Sequence, residues 1–181
     1  MGRSFFFLFS FYFFRNPVRE CPGVPEDKSI LVCPADGRVV DIQHVSDNSL
    51  EGYAQKVSIF LSVFDVHVNW VSMTGNVEKI TYTPGAFKLA FLPKSSQLNE
   101  HNDIIIAGEQ GRNILVRQIA GLIARRIRCW VREGQHISAG QKYGMIKFGS
   151  RVDIFLPDSV KLEIEMGQHV RGGQTIVGRW L

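Results

Sequence analysis

Short apolar runs, β-branched and closely spaced, dominate the chain. Val39-Val40-Asp41-Ile42, Val57 to Leu61, Val66-His67-Val68 and Val77 to Tyr82 each read as a strand, punctuated by Gly, Pro, Asn or Ser. Asp103 to Ala107 and Asn113 to Ile119 repeat the pattern, with Gly108 and Gly111 in the turn between them. Ile119, Leu122 and Ile123 have helical spacing, but Gly121 and the flanking strand patterns favour strand for Gln118 to Ile127. Many short strands at close spacing predict a mainly β, single-domain protein.

An internal repeat marks the C-terminal part. Gly134-Gln135-His136-Ile137-Ser138-Ala139-Gly140-Gln141 recurs 33 residues later as Gly167-Gln168-His169-Val170-Arg171-Gly172-Gly173-Gln174. Each copy precedes an apolar strand, Tyr143 to Phe148 and Thr175 to Trp180. The glycines permit positive φ at the corners. These turn–strand units resemble the hairpins of barrel-sandwich hybrid domains, the architecture of biotinyl and lipoyl carriers. The modifiable lysine of those carriers is missing between the repeats, so the carrier function is not supported. His136 and His169 read as surface turn residues.

The N-terminus breaks the strand pattern. Phe5 to Phe14 reads FFFLFSFYFF, apolar or aromatic throughout except Ser10. A spanning helix needs about 20 such residues, so the run is too short to cross a bilayer unaided. Arg15-Asn16-Pro17 follows it, unlike a small-residue signal cleavage site. Arginines at both ends suit a segment lying in the membrane interface, so residues 1–16 are expected to be a monotopic anchor. Pro17, Pro22 and Pro25 then mark a turn-rich linker into the domain, 17–181.

The 181 residues, 45% of them hydrophobic and 21% charged, suit one folded domain. The net charge of +4 is modest, but Gly111 to Arg132 holds Arg112, Arg117, Arg125, Arg126, Arg128 and Arg132 without an acid. Such a stretch attracts an anionic surface, or is simply a solvated face. No helix-turn-helix or RNA-binding signature accompanies it, so nucleic acid is not expected as a partner. Cys21, Cys33 and Cys129 are odd in number and lack metal spacing; they predict free thiols in a reducing compartment and no metal site.

Three pieces of the chain carry candidate chemistry: Asp36 in Pro34-Ala35-Asp36-Gly37, His67 in the apolar run Asp65-Val66-His67-Val68-Asn69, and Ser150 in a Gly149-Ser150 turn between two strands, Met145 to Phe148 and Val152 to Leu156. Taken singly, each has an ordinary structural reading: a turn cap, a core histidine, a Gly-Ser turn between strands. Together they supply an acid, an imidazole and a hydroxyl, the components of a Ser-His-Asp arrangement. No Gly-x-Ser-x-Gly elbow is present, which disfavours an α/β-hydrolase.

Several motifs together resemble the short, bacterial and archaeal type of phosphatidylserine decarboxylase proenzyme. They are Phe14-Arg15-Asn16-Pro17, Pro34-Ala35-Asp36-Gly37, Phe60 to Asn69, Pro84-Gly85, Asn99-Glu100-x-Asn102, Gln118 to Gly121 with Ala124 to Ile127, and Tyr143 to Asp153. The resemblance runs from about Phe14 to the C-terminus. One departure is Trp70: longer members carry a second histidine there, and short members often a basic residue.

The resemblance implies self-cleavage between Gly149 and Ser150, giving a larger β chain, 1–149, and a small α chain, 150–181, that begins with a pyruvoyl group made from Ser150. It implies Ser150 as the attacking hydroxyl, His67 as its base and Asp36 as the group that orients the imidazole. The pyruvoyl carbonyl would condense with the amine of phosphatidylserine and accept the electrons left as CO2 departs, giving phosphatidylethanolamine in phospholipid biosynthesis. No external cofactor or metal is implied; a homodimer is. An anionic membrane surface is the expected partner, at the cytoplasmic face of the cell membrane, with the protein peripheral or monotopic. Two other readings compete: a membrane-associated β-sandwich binding module without catalysis, and a pyruvoyl decarboxylase of another amine.

Overall fold

The computed structural model describes residues 11–21, 23–24, 27–45, 50, 52–85, 98–121, 126–146 and 150–181. Residues 1–10 of the expected anchor and Gly149 of the expected cleavage site lie outside these. In chain order the strands are β1 (Ile30–Val32), β2 (Gly37–His44), β3 (Gln55–Leu61), β4 (Val68–Trp70), β5 (Gly75–Thr83), β6 (His101–Ala107), β7 (Asn113–Ile119), β8 (Ile127–Cys129), β9 (His136–Ile137), β10 (Lys142–Ile146), β11 (Ser150–Leu156), β12 (Val160–Leu162), β13 (His169–Val170) and β14 (Ile176–Trp180). The mainly β expectation holds.

Eight strands form one sheet in the order β13-β2-β3-β11-β7-β6-β5-β9; β1-β14-β12 and β4-β10-β8 form two three-stranded sheets. The large sheet reads alike from either end, with β11 near its middle. Backbone bonds reproduce the correspondence. Cys33 N–H donates to Thr175 O and Val71 N–H to Gln141 O (2.8 and 2.7 Å); Gly173 N–H donates to Cys33 O and Gly140 N–H to Val71 O (both 2.8 Å). The repeat seen in the sequence is therefore a pair of matching corners, one in each half. Gly134, Gly140, Gly167 and Gly173 all sit at φ of 71–80°, where a Cβ would be strained.

Alternation decides the two faces of the large sheet. Val57, Ile59 and Leu61 on β3, Val152, Ile154 and Leu156 on β11, Ile114 and Val116 on β7, and Ile104 and Ile106 on β6 belong to a single hydrophobic core. The opposite face carries paired charges: Arg117 grips Asp103 through Nε and Nη2 (both 2.7 Å), and buried Arg151 grips Asp153 two residues along (2.6 and 2.7 Å). Arg117 thus leaves the expected basic surface, whereas Arg126, Arg128 and Arg132 are exposed.

Three local expectations change. His67 is not within a strand, since β4 starts at Val68. Asp65 accepts bonds from Ser62 N–H and Oγ–H (2.8 and 2.7 Å), and this side-chain-closed turn delays the strand. Gln118 to Ile127 is not one strand: β7 ends at Ile119, and its ladder adds only Ala120 N–H to Glu100 O at 2.9 Å. Ser150 already opens β11, two residues before the strand expected from Val152, and β10 belongs to a different sheet.

Candidate active site

The site forms where polar residues occupy the core-facing phase at one end of neighbouring strands. Ser150 shares its face with Val152, Ile154 and Leu156; Gln118 shares its face with Ile114 and Val116; Asn102 shares its face with Ile104 and Ile106. Register puts Ser150 opposite Leu61, Val152 opposite Gln118, and Gln118 opposite Asn102. All three polar residues are buried.

His67 reaches this end through the Ser62–Asp65 turn that follows β3. Its Nδ1–H donates to the Asp65 carbonyl at 2.9 Å, which fixes the tautomer and leaves a lone pair on Nε2. Its own carbonyl accepts from Ile146 N–H at 3.2 Å, at the end of the strand that leads toward Ser150. The ring packs against Phe13 with centroids 4.2 Å apart. Burial is the main force pushing the imidazole pKa down to about 4, outweighing the favourable influence of the Asp65 carbonyl. At neutral pH the ring is therefore uncharged. Ser150 Oγ and His67 Nε2 are both buried and both without a hydrogen-bond partner. A buried hydroxyl and imidazole left unmatched carry a real desolvation cost.

Asp36 lies apart from the imidazole hydrogen bonds. Arg19 Nη2 donates to Asp36 Oδ2 at 2.8 Å, Arg19 Nη1 pairs with Oδ1, and Gly172 N–H donates to Oδ1 at 2.8 Å. Arg19 Nη1 also donates to the Gly172 carbonyl at 2.7 Å, and its guanidinium sits 4.5 Å over the Trp70 ring. A Cβ on Gly172 would come within 2.3 Å of Trp70 Cε3, so glycine is what lets the turn lie on the indole. Trp70, buried, is thus one wall of the clamp around Asp36. The bond that orients His67 comes from Asp65; Asp36 acts on the ring as a weaker, through-space negative charge that favours protonation.

Sequence reasoning missed Arg19, Gln118, Asn69 and Trp70 as site-building residues. Gln118 Nε2–H donates to Asn69 Oδ1 at 2.8 Å, and Asn102 Nδ2–H donates to Gln118 Oε1 at 3.2 Å. Gly144 makes the first contact feasible, because a Cβ there would meet Gln118 Nε2 at 2.8 Å. A usable signal existed: Asn102, Gln118 and Ser150 each put a polar group in the apolar phase of a strand. The Asn99-Glu100 pair braces the same sheet end, with Asn99 Nδ2–H on Ala120 O at 2.8 Å and Glu100 O accepting from Ala120 N–H. Among the described residues, no group of three His, Cys, Asp or Glu side chains converges as a metal ion would require.

Fold and site together define a small, mainly β enzyme with a buried serine and a neutral histidine at the end of its central sheet. Comparison with known proteins gives the family. Residues 6–178 match phosphatidylserine decarboxylase. A phosphatidylserine decarboxylase proenzyme of Syntrophus aciditrophicus is 45% identical over 172 residues, covering 94% of this chain and 79% of the relative. That of Desulfotalea psychrophila is 44% identical over 181 residues, covering 97% and 83%. That of Burkholderia mallei is 42% identical over 170 residues, covering 94% and 77%. The chain belongs to the phosphatidylserine decarboxylase family.

Proposed function

We propose that this chain is a proenzyme that cuts itself between Gly149 and Ser150 and then decarboxylates phosphatidylserine to phosphatidylethanolamine at residue 150. The observation that carries the reading is the pair of buried, unpartnered atoms, Ser150 Oγ and His67 Nε2.

Maturation balances as follows. Ser150 Oγ adds to the Gly149 carbonyl carbon as its proton passes to His67 Nε2. The Gly149–Ser150 C–N bond breaks, the Ser150 nitrogen takes the proton, and an ester remains. Loss of the Ser150 Cα proton then breaks the Cβ–Oγ bond and frees the Gly149 carboxylate. Water replaces the nitrogen of residue 150, releasing ammonia and leaving a pyruvoyl group at the head of 150–181.

The residues present fit such a group: its precursor hydroxyl is enclosed and unmatched, with a neutral base held near the same sheet end. The pyruvoyl carbonyl supplies an electron sink for the pair released with CO2. The chain's own residues exclude water, and His67 holds a proton acceptor at Nε2 that can return a proton to the product carbon.

Membrane attachment is part of the proposal. Phe11, Tyr12, Phe14 and Phe64 are exposed aromatics, and Arg15 ties them together: Nη1–H donates to Tyr12 O at 2.9 Å and Nη2–H to Phe64 O at 2.7 Å. Phe13, on the same helical turn, packs on His67. An apolar, arginine-flanked surface one turn from the base suits a lipid substrate. No helix of the described residues is long and apolar enough to cross a membrane.

Intact mass spectrometry beside Ser150→Ala tests the reading. Two fragments are expected, the smaller starting at position 150 with a pyruvoyl mass. A folded wild-type chain that stays at full mass overturns it.

A further inference from the structure

The amide contacts at the site form a chain with one direction. Asn102 donates to Gln118, and Gln118 donates to Asn69 Oδ1. Asn69 therefore turns its oxygen toward Gln118 and its Nδ2 away. That Nδ2 is buried and has no partner, in a residue with 0% exposure. An amide donor held this way and left unmatched costs about 1–3 kcal/mol in the resting protein. The bond from Gln118 needs only the Asn69 oxygen, so that contact does not explain the amide nitrogen.

Its place in the fold points to a use. Asn69 follows His67 by two residues and opposes Gly144 on β10, and His67 O is tied to Ile146 N–H on the same strand. Gln118, which holds it, opposes Val152, the next residue along the core face of β11 from Ser150. Three unmatched buried atoms are thus tied, through register or hydrogen bonds, to the Ser150 end of β11: an acceptor at His67 Nε2, a hydroxyl at Ser150 Oγ and a donor at Asn69 Nδ2. An addition of Ser150 Oγ to the carbonyl joined to its own nitrogen needs all three kinds. The base takes the proton, the hydroxyl forms the new C–O bond, and the carbonyl oxygen becomes an oxyanion that needs a donor.

We propose that Asn69 Nδ2 is the oxyanion donor for self-cleavage, with Gln118 and Asn102 as positioning residues that set its polarity. The inference rests on the self-cleavage reading above. As the Gly149 carbonyl carbon becomes tetrahedral its oxygen takes the negative charge and accepts from Asn69 N–H. When the C–N bond breaks the carbonyl re-forms in the ester, and the hydrogen bond weakens. The donor thus acts most strongly in the transition state, which is what accelerates the step.

The test follows cleavage of the full chain in cell-free translation, by the time course of the 1–149 fragment. Asn69→Asp keeps the shape and an acceptor for Gln118 but removes the amide donor, and is expected to slow cleavage about 10²-fold. Its rate relative to wild type rises as pH falls, because a protonated carboxyl regains a donor. Gln118→Glu turns the Asn69 amide around and gives a comparable loss. The same substitutions in a Ser150→Ala background report folding through the melting temperature. Should Asn69→Asp not fold, Asn69→Leu with Gln118→Met and Asn102→Leu removes the whole amide chain together; it too must cleave slowly. Wild type that cuts beside folded variants that cut within twofold of it overturns this inference alone. An uncut wild-type chain overturns the self-cleavage reading, and this role with it.

Discussion

Acid should destabilise this protein through His67 in a calculable way. The imidazole has an ordinary pKa of 6.5 and is held at about 4 in the folded chain, chiefly by burial. Its folded value lies below its unfolded one, so between them the unfolded chain binds more protons. Stability from this residue is present in full above about 6.5 and is lost as pH falls toward about 4. At pH 5 the loss amounts to about 2 kcal/mol, and below the folded pKa it approaches about 3 kcal/mol. Urea unfolding of the uncut Ser150→Ala chain between pH 8 and pH 4.5 measures the total. The same series on Ser150→Ala/His67→Phe, whose ring can still pack on Phe13, subtracts every other group. The difference between the two curves should grow by about 2 kcal/mol at pH 5. Parallel curves would show that His67 is not buried neutral, and would remove the basis for its role as a base. The rate of self-cleavage has a matching expectation: flat from pH 8 to about 5, then falling as Nε2 takes a proton.

Two further outcomes follow from the clamp and the aromatic surface. Arg19→Met should destabilise the Ser150→Ala chain by about 3–5 kcal/mol, because it leaves the Asp36 carboxylate buried beside Gly172 without its cation; a urea midpoint within error of the parent would show that the pair is replaceable by solvent. Serine at Phe11, Tyr12, Phe14 and Phe64 together should abolish cosedimentation with phosphatidylserine-containing vesicles while leaving self-cleavage unchanged, and binding that survives would place the lipid contact elsewhere.

Much of the fold was legible because it depends on local pattern. β2, β3, β5, β6, β7 and β11 all fall on β-branched runs, and the Gly-Gln repeat correctly marked matching corners. The three-residue strands β1, β8 and β12 escaped, since so short a segment carries almost no period. Their pairing is decided by tertiary contact, as when Ile30 meets Arg179 on β14. The site divides the same way. Ser150, His67 and Asp36 could be singled out by residue type and motif, but the partners of Asp36 could not. Arg19 lies 17 residues away and Gly172 lies 136. No periodicity links these positions; only the closed corner of the fold brings them together.

The near-symmetry of the sheet explains why that corner became distinct. At the matching position of the other half, Thr74 Oγ accepts from Ala139 N–H at 3.0 Å, as Asp36 Oδ1 accepts from Gly172 N–H at 2.8 Å. Both side chains cap an equivalent turn, so capping alone needs only a hydroxyl. A carboxylate adds a buried charge, and a buried charge demands a partner. Arg19 supplies it from the segment that follows the aromatic turn, and Trp70 covers the guanidinium. The ion pair therefore ties the N-terminal segment to the corner that lies within 150–181. The same segment carries Phe13 onto His67 and Arg15 onto the Phe64 carbonyl. One short stretch, Phe13 to Arg19, thereby covers His67, fixes the exposed aromatics and locks the C-terminal corner. Its loss should be felt at all three places at once, which no single turn cap would produce.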